Sequence, residues 1–256
     1  MKLISNLASK LVAPAALLAI MLLSFEVHAQ TMPGRAEVRG VKGDATFSIA
    51  GNAPQPLVVG AFLPPGAVLR TGNKSSVDLF LGHSAGVVRV AENTVLGLDE
   101  LSLTDTGAET VVEVQLNVPE GTILGNVNKL SAASKYEIKL PAGVAGIRGT
   151  TFRSSSTGYI VLLEGTLVFV YVPPGGNPTP YTMVAPPPVY FSPIEGIRPA
   201  PANLIQEVQG QIGEQVLDGT VVLPSLAPPE YDPNASIFPG ISNDDTDNPI
   251  SPEVED

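Results

Sequence analysis

The sequence predicts an all-β protein: many short strands in a β-sandwich, roll or solenoid-like domain, followed by one short helix and a disordered, acidic, Pro-rich tail. Three observations carry that expectation. Apolar and polar residues alternate with period two through most of the chain, the alternating runs are short and broken by Gly, Pro, Asn or Asp, and the composition changes after Val172.

From Ala36 to about Val172 the texture is constant. Ser76 to Leu81 places Val77, Leu79 and Leu81 on one face, and Gly86–Val90 and Thr94–Leu98 follow after tight turns. Val111 to Val118 sets Val112, Val114, Leu116 and Val118 against Glu113, Gln115 and Asn117. Tyr136–Leu140 alternates and stops at Pro141, and Tyr159–Glu164 and Thr166–Val172 read as two strands joined at Glu164-Gly165. A helical stripe is missing from this span, with a single turn near Lys129–Ser134 as the one candidate. Such closely spaced period-two runs indicate strands with one buried face.

Pro173-Pro174-Gly175-Gly176 opens a Pro-rich segment, in which Tyr181–Val184 and Val189–Phe191 are expected as late strands around Pro186-Pro187-Pro188. Over 202–218 the apolar residues Leu204, Ile205, Val208, Ile212 and Val216 form one helical stripe with Asn203 placed at the N-cap, weakened by Gly210 and Gly213. A stripe of this kind is expected to pack on its own domain rather than on a partner. The Pro- and acid-rich segment 224–256 is expected to be disordered. The domain plan is therefore a signal peptide at 1–29, a β domain at 36–199, an amphipathic helix at 200–219 and an acidic tail at 224–256.

The leader is read from Lys2 and Lys10, the apolar run Leu11–Phe25 and the Val27-His28-Ala29 cleavage site. Charged, apolar and small-residue regions stand in the order of a secretory signal, and the run is shorter than the roughly 20 residues of a membrane helix. Cleavage would leave no integral membrane span, and the expected location is the periplasm or the exterior of a Gram-negative-type bacterium. Cysteine is absent, which excludes disulfides, thiolate metal sites and thiol catalysis. The net charge of −11 resides in the C-terminal part: Pro199 to Asp256 holds eleven acids and no Lys or Arg, while the preceding residues balance. Phosphate backbones and anionic lipid would repel such a chain, so nucleic acid is not an expected partner.

Two stretches carry a family resemblance. The first is Gly60 to Leu98, with Leu69-Arg70-Thr71-Gly72 and Val88-Arg89-Val90-Ala91-Glu92-Asn93-Thr94. The second is Tyr136 to Glu164, centred on Gly146-Ile147-Arg148-Gly149-Thr150-Thr151-Phe152 and followed by Leu163-Glu164-Gly165-Thr166. Together, over roughly Val38 to Phe191, they resemble the FecR domain. Founding members of that family are transmembrane regulators with a cytoplasmic segment that controls a sigma factor and a periplasmic part that hears an outer-membrane transducer. Ten residues precede the apolar run here, so the resemblance implies a stand-alone secreted member without the anti-sigma segment.

Candidate chemistry is sparse. His83, the single histidine after the leader, sits in an expected hairpin turn and lacks a local acid and nucleophile. Gly143, Gly146 and Gly149 lack the spacing and the following helix of a phosphate loop and read as strand bends. Asn243 to Asp247 lacks the glycine and terminal glutamate of a calcium loop. No catalytic, cofactor-binding or metal residue is assigned, and no cofactor is expected. The family-motif residues are Gly146, Ile147, Arg148, Gly149, Thr150 and Phe152. Ile147 and Phe152 are expected in the core, Gly149 at a bend, and Arg148 in charge-assisted hydrogen bonds inside the domain, with partner binding as its other use. The functional expectation is a non-enzymatic exported module that binds an envelope protein or glycan, in envelope signalling; the alternative is an envelope polysaccharide-binding or polysaccharide-processing protein.

Overall fold

The computed structural model describes residues 30–217. The expected leader at 1–29, the tail at 224–256 and the Asn243–Asp247 cluster lie outside the described residues.

The chain begins with β1 (Gln30–Pro33), β2 (Ala36–Lys42), β3 (Ala45–Ile49), β4 (Gln55–Pro56), β5 (Phe62–Leu63) and β6 (Ala67–Thr71). The middle holds β7 (Ser76–Phe80), β8 (Val87–Val90), β9 (Val95–Asp105), β10 (Thr110–Glu120), β11 (Thr122–Asn126) and β12 (Lys135–Leu140). Two long strands follow, β13 (Gly143–Ser155) and β14 (Ile160–Tyr171), then β15 (Thr179–Ala185), β16 (Val189–Ser192), β17 (Gly196–Pro199) and the helix α1 (Ala202–Leu217).

The strands form one sheet curled into a half barrel with two wings. One wing runs β15, β14, β13, β12, β10, β9, β6, β3, β4. The other runs β17, β16, β14, β13, β11, β8, β7, β2, β5. Both wings share β13 and β14, whose two halves pair with different neighbours. Among the described residues every ladder is antiparallel except β10 with β12, which is parallel.

The core lies between the wings. The inward set of β10 is Val112, Val114, Leu116 and Val118, each 2 % exposed or less, as the alternation predicts. It meets Val77 and Leu79 of β7, Val88 and Val90 of β8, and Phe152 and Phe169 of the shared strands in one continuous cluster. Each fully buried aliphatic or aromatic side chain of this kind contributes about 1.5–3 kcal/mol through removal from water. Without disulfides, this burial carries the stability.

Several boundaries differ from the sequence reading. Tyr159–Glu164 and Thr166–Val172 are one strand, β14, which changes neighbours at Gly165 without leaving the sheet. The strand expected at Thr94–Leu98 runs on to Asp105, because β1 and β10 clamp its second half from both sides. Asn203 is not the N-cap: α1 starts at Ala202, and the Pro201 carbonyl accepts the Ile205 amide at 3.1 Å. Proline suits that edge, since it has no N–H of its own to satisfy. The Lys129–Ser134 segment is a loop closed by Ser134 N–H donating to the Ser131 carbonyl.

Helix α1 packs back on its own domain, as the stripe predicts. Val208 is fully buried against Leu124 of β11 and Val161 of β14, with Leu204 and Ile212 alongside. These residues sit on the outer face of the second wing, so that wing is buried on both sides where α1 crosses it. Arg153 and Glu207 add an ion pair at 2.8 Å, and Arg89 Nη1 donates to the Gln211 carbonyl at 3.0 Å.

Candidate functional site at the crease of the sheet

The motif residues build the crease where the two wings part. In the first half of β13, Gly146 pairs with Glu137 of β12. In its second half, Thr151 pairs with Asn126 of β11. Between them the register with β14 shifts, from Ile147 opposite Leu167 to Thr150 opposite Gly165. The extra residues of β13 at this bulge are Arg148 and Gly149, and a bulge bends its strand.

Two glycines make the bend feasible. Gly149 has φ +71°, and a Cβ there would lie 2.7 Å from the Lys129 Cα. Gly165, opposite on β14, has φ +93°, and a Cβ there would lie 1.9 Å from the Gly149 carbonyl oxygen. Both positions therefore need the left-handed region and the missing side chain together. Gly146 differs: an added Cβ would meet nothing closer than 3.8 Å, so neither space nor φ demands glycine there.

Inward of the crease the sequence reading holds. Ile147 and Thr150 are each 2 % exposed and Phe152 is fully buried. The Phe152 ring fills the space that a side chain at Gly125 would take, with a Cβ there 2.3 Å from the ring.

Arg148 is the correction. It hydrogen-bonds to no described residue; its side chain is exposed on the outer face of β13. The reason is the pleat: Ile147 and Thr150 take the inward positions on either side of the bulge, which leaves position 148 pointing out. No described residue makes an ion pair with it. Period-two counting from Ile147 would have placed it outward; the missed signal was the alternation of Ala145, Ile147 and the flanking glycines.

Two clefts meet at Arg148. One, of about 430 Å³, is lined by Asn126, Asn128, Lys129, Thr151, Glu164 and Thr166 among others. The second, of about 200 Å³, runs over Gly146 between Lys135, Glu137 and Val168. The absent side chain at Gly146 is what opens this second cleft. Lys129, Lys135, Arg148 and Glu164 are all exposed, and Lys135 lies 3.3 Å from Glu137. Tyr136 lies in the wall, its phenol buried and without a hydrogen-bond partner among the described residues, and burial holds its pKa far above the usual tyrosine range. On the same outer surface Val144, Val168 and Val184 are 38 %, 40 % and 57 % exposed, an apolar strip beside the basic edge.

His83 is exposed in the turn after β7, edge-on to the Phe80 ring, and its carbonyl accepts the Asn128 amide. Among the described residues no group of His, Cys, Asp and Glu is arranged to hold a metal ion. No described helix is long and apolar enough to cross a membrane.

The profile of one protein family, described as FecR protein, matches residues 67–168. Residues 67–168 match a FecR domain. The match runs from the start of β6 into the second half of β14 and contains the whole crease motif. It is narrower than the Val38–Phe191 span read from the sequence, yet β2 to β5 and β15 to β17 complete the same curled sheet around the FecR domain. No curated protein and no solved structure matches the chain.

Proposed function

We propose that this protein is an exported, non-enzymatic FecR-like module that binds a protein partner of the cell envelope through the Arg148 crease. One observation carries the reading. Ile147 and Phe152 of the motif are accounted for by packing and Gly149 by the bend, and Arg148 alone is presented to solvent with no partner among the described residues. An arginine offers five donors in a fixed fork, which suits a carboxylate or main-chain carbonyls on another chain. The clefts on either side and the neighbouring valines add shape and apolar area to that contact. FecR domains generally act in envelope signalling, which fits a role in binding rather than turnover. Export rests on the Lys2 to Ala29 leader pattern.

A photo-cross-linking residue placed at Thr166, beside Arg148, tests this in the native host. A discrete adduct that disappears in Arg148→Glu, with the melting temperature unchanged, is expected. An adduct that survives Arg148→Glu, or saturable binding to an envelope glycan with no protein adduct, overturns it. The same cells test export: the protein should fractionate outside the cytoplasm and begin at Gln30.

A further inference from the structure

A third cleft, sharing no residue with the crease, lies where α1 crosses the outer face of the second wing. It encloses about 450 Å³ and is lined by Lys42, Lys74, Ser76, Ala91, Leu124 and Gln211, with Ser75, Arg89 and Glu92 completing the wall. That volume is within the range of small-molecule sites, which combine an apolar body with a few placed polar groups.

The floor is apolar. Leu124 is 2 % exposed and Ala91 packs beside it under the helix. Behind the floor, Arg89 is 6 % exposed and held on three sides: Nε and Nη2 donate to the two Asp78 carboxylate oxygens, each at 2.7 Å, and Nη1 donates to the Gln211 carbonyl. This fork fixes the wall of the cleft. Gln211 also buries its side-chain Oε1 with no hydrogen-bond partner among the described residues, an acceptor left without a donor. A buried acceptor in that state is destabilising, and a donor entering the cleft would recover that cost.

The mouth is basic. Lys42 and Lys74 are exposed, and neither side chain makes an ion pair with a described residue. Glu92 accepts the Lys74 main-chain amide at 2.7 Å. Counting Lys42, Lys74 and Arg89 against Asp78 and Glu92 leaves one positive charge in excess around the cleft.

We infer that this cleft binds a small amphipathic monoanion that carries a hydrogen-bond donor, of the N-acylated amino acid class. The acyl chain lies on Ala91 and Leu124, the amide N–H donates to Gln211 Oε1, and the carboxylate sits between Lys42 and Lys74. The single excess charge selects a monoanion over a dianion, and the apolar floor selects against inorganic anions.

The test is calorimetry on the full chain with N-octanoylglycine as the probe, beside acetylglycine, inorganic phosphate and octanoyloxyacetate, an ester of equal charge and chain length that lacks the N–H. Saturable one-to-one binding of N-octanoylglycine is expected, with no measurable heat from acetylglycine or phosphate. The ester should bind about fivefold more weakly, the worth of one hydrogen bond. That difference should vanish in Gln211→Met. Lys42→Ala with Lys74→Ala should weaken binding about tenfold, as expected for two partly exposed charges. Ala91→Phe, which fills the floor, should abolish it. Absence of saturable binding overturns the inference, as does an affinity equal in the wild type and the double lysine variant. Equal binding of acid and ester in the wild type overturns the assignment of Gln211. Arg148→Glu should leave this binding intact, so failure here and failure at the crease are distinguishable.

Discussion

The outer surface of the curled sheet comes in two kinds, and the contrast between them is instructive. Beneath α1, on β7 and β8, the outward residues Asp78 and Arg89 are 4 % and 6 % exposed and grip each other as a cross-strand pair. At the crease, on β13 and β14, the outward residues Arg148 and Glu164 are open to solvent. Both surfaces have alternating strands beneath them and an arginine in the outward register. The difference is a cover: one helix turns the first surface into a second interior, where charge must be paired, and leaves the other bare, where charge is available to a partner.

The largest effect expected from breaking this contrast is on the covered side. Asp78→Ala leaves the Arg89 guanidinium buried without its carboxylate, and a loss of about 3–5 kcal/mol is expected in denaturant unfolding. The paired change Asp78→Leu with Arg89→Met should be far milder, since it removes both charges at once. If Asp78→Ala unfolds at the wild-type midpoint, the helix does not seal that surface.

Next comes the bend that separates the two wings. Gly149→Val forces a β-branched side chain into φ +71° and against the Lys129 backbone. Backbone strain alone costs about 1–3 kcal/mol, and the clash adds to it. The chain should fold poorly, or melt far below the wild type by circular dichroism. Gly146→Ala is the control: with open space at the Cβ and no positive φ, it should melt close to the wild type.

Smaller still is the buried phenol beside the crease. Tyr136→Phe removes a hydroxyl that has no hydrogen-bond partner, so stability should rise by about 1 kcal/mol rather than fall. A clear loss would mean that the hydroxyl is satisfied in solution. The smallest effect belongs to the open arginine. Arg148→Ala should change stability by less than about 0.5 kcal/mol, as for other exposed side chains away from packed features. A drop of 2 kcal/mol or more would move Arg148 to the structural side of the comparison and remove the basis for a binding role.

Local pattern determined the strands and their inward faces. Val112, Val114, Leu116 and Val118 face the core because the period of a strand is two, and nothing distant is needed to say so. The glycine at 149 was legible for the same kind of reason, since a motif glycine flanked by strand residues marks a bend. The apolar stripe of α1 was also local, and Val208 is buried as its spacing implies. What lay beyond the sequence was the fate of every outward residue. Asp78 stands between Val77 and Leu79 and reads as a solvent residue, yet it is buried against Arg89, whose guanidinium also donates to a helix carbonyl more than a hundred residues later. Arg148 reads as an internal donor, and it is exposed only because the bulge and the parting of the wings aim it outward. Alternation is a property of the backbone between neighbours and is written in the chain; which outer face receives a cover depends on how the sheet curls and where α1 lands, and those are decided by packing between residues far apart in sequence.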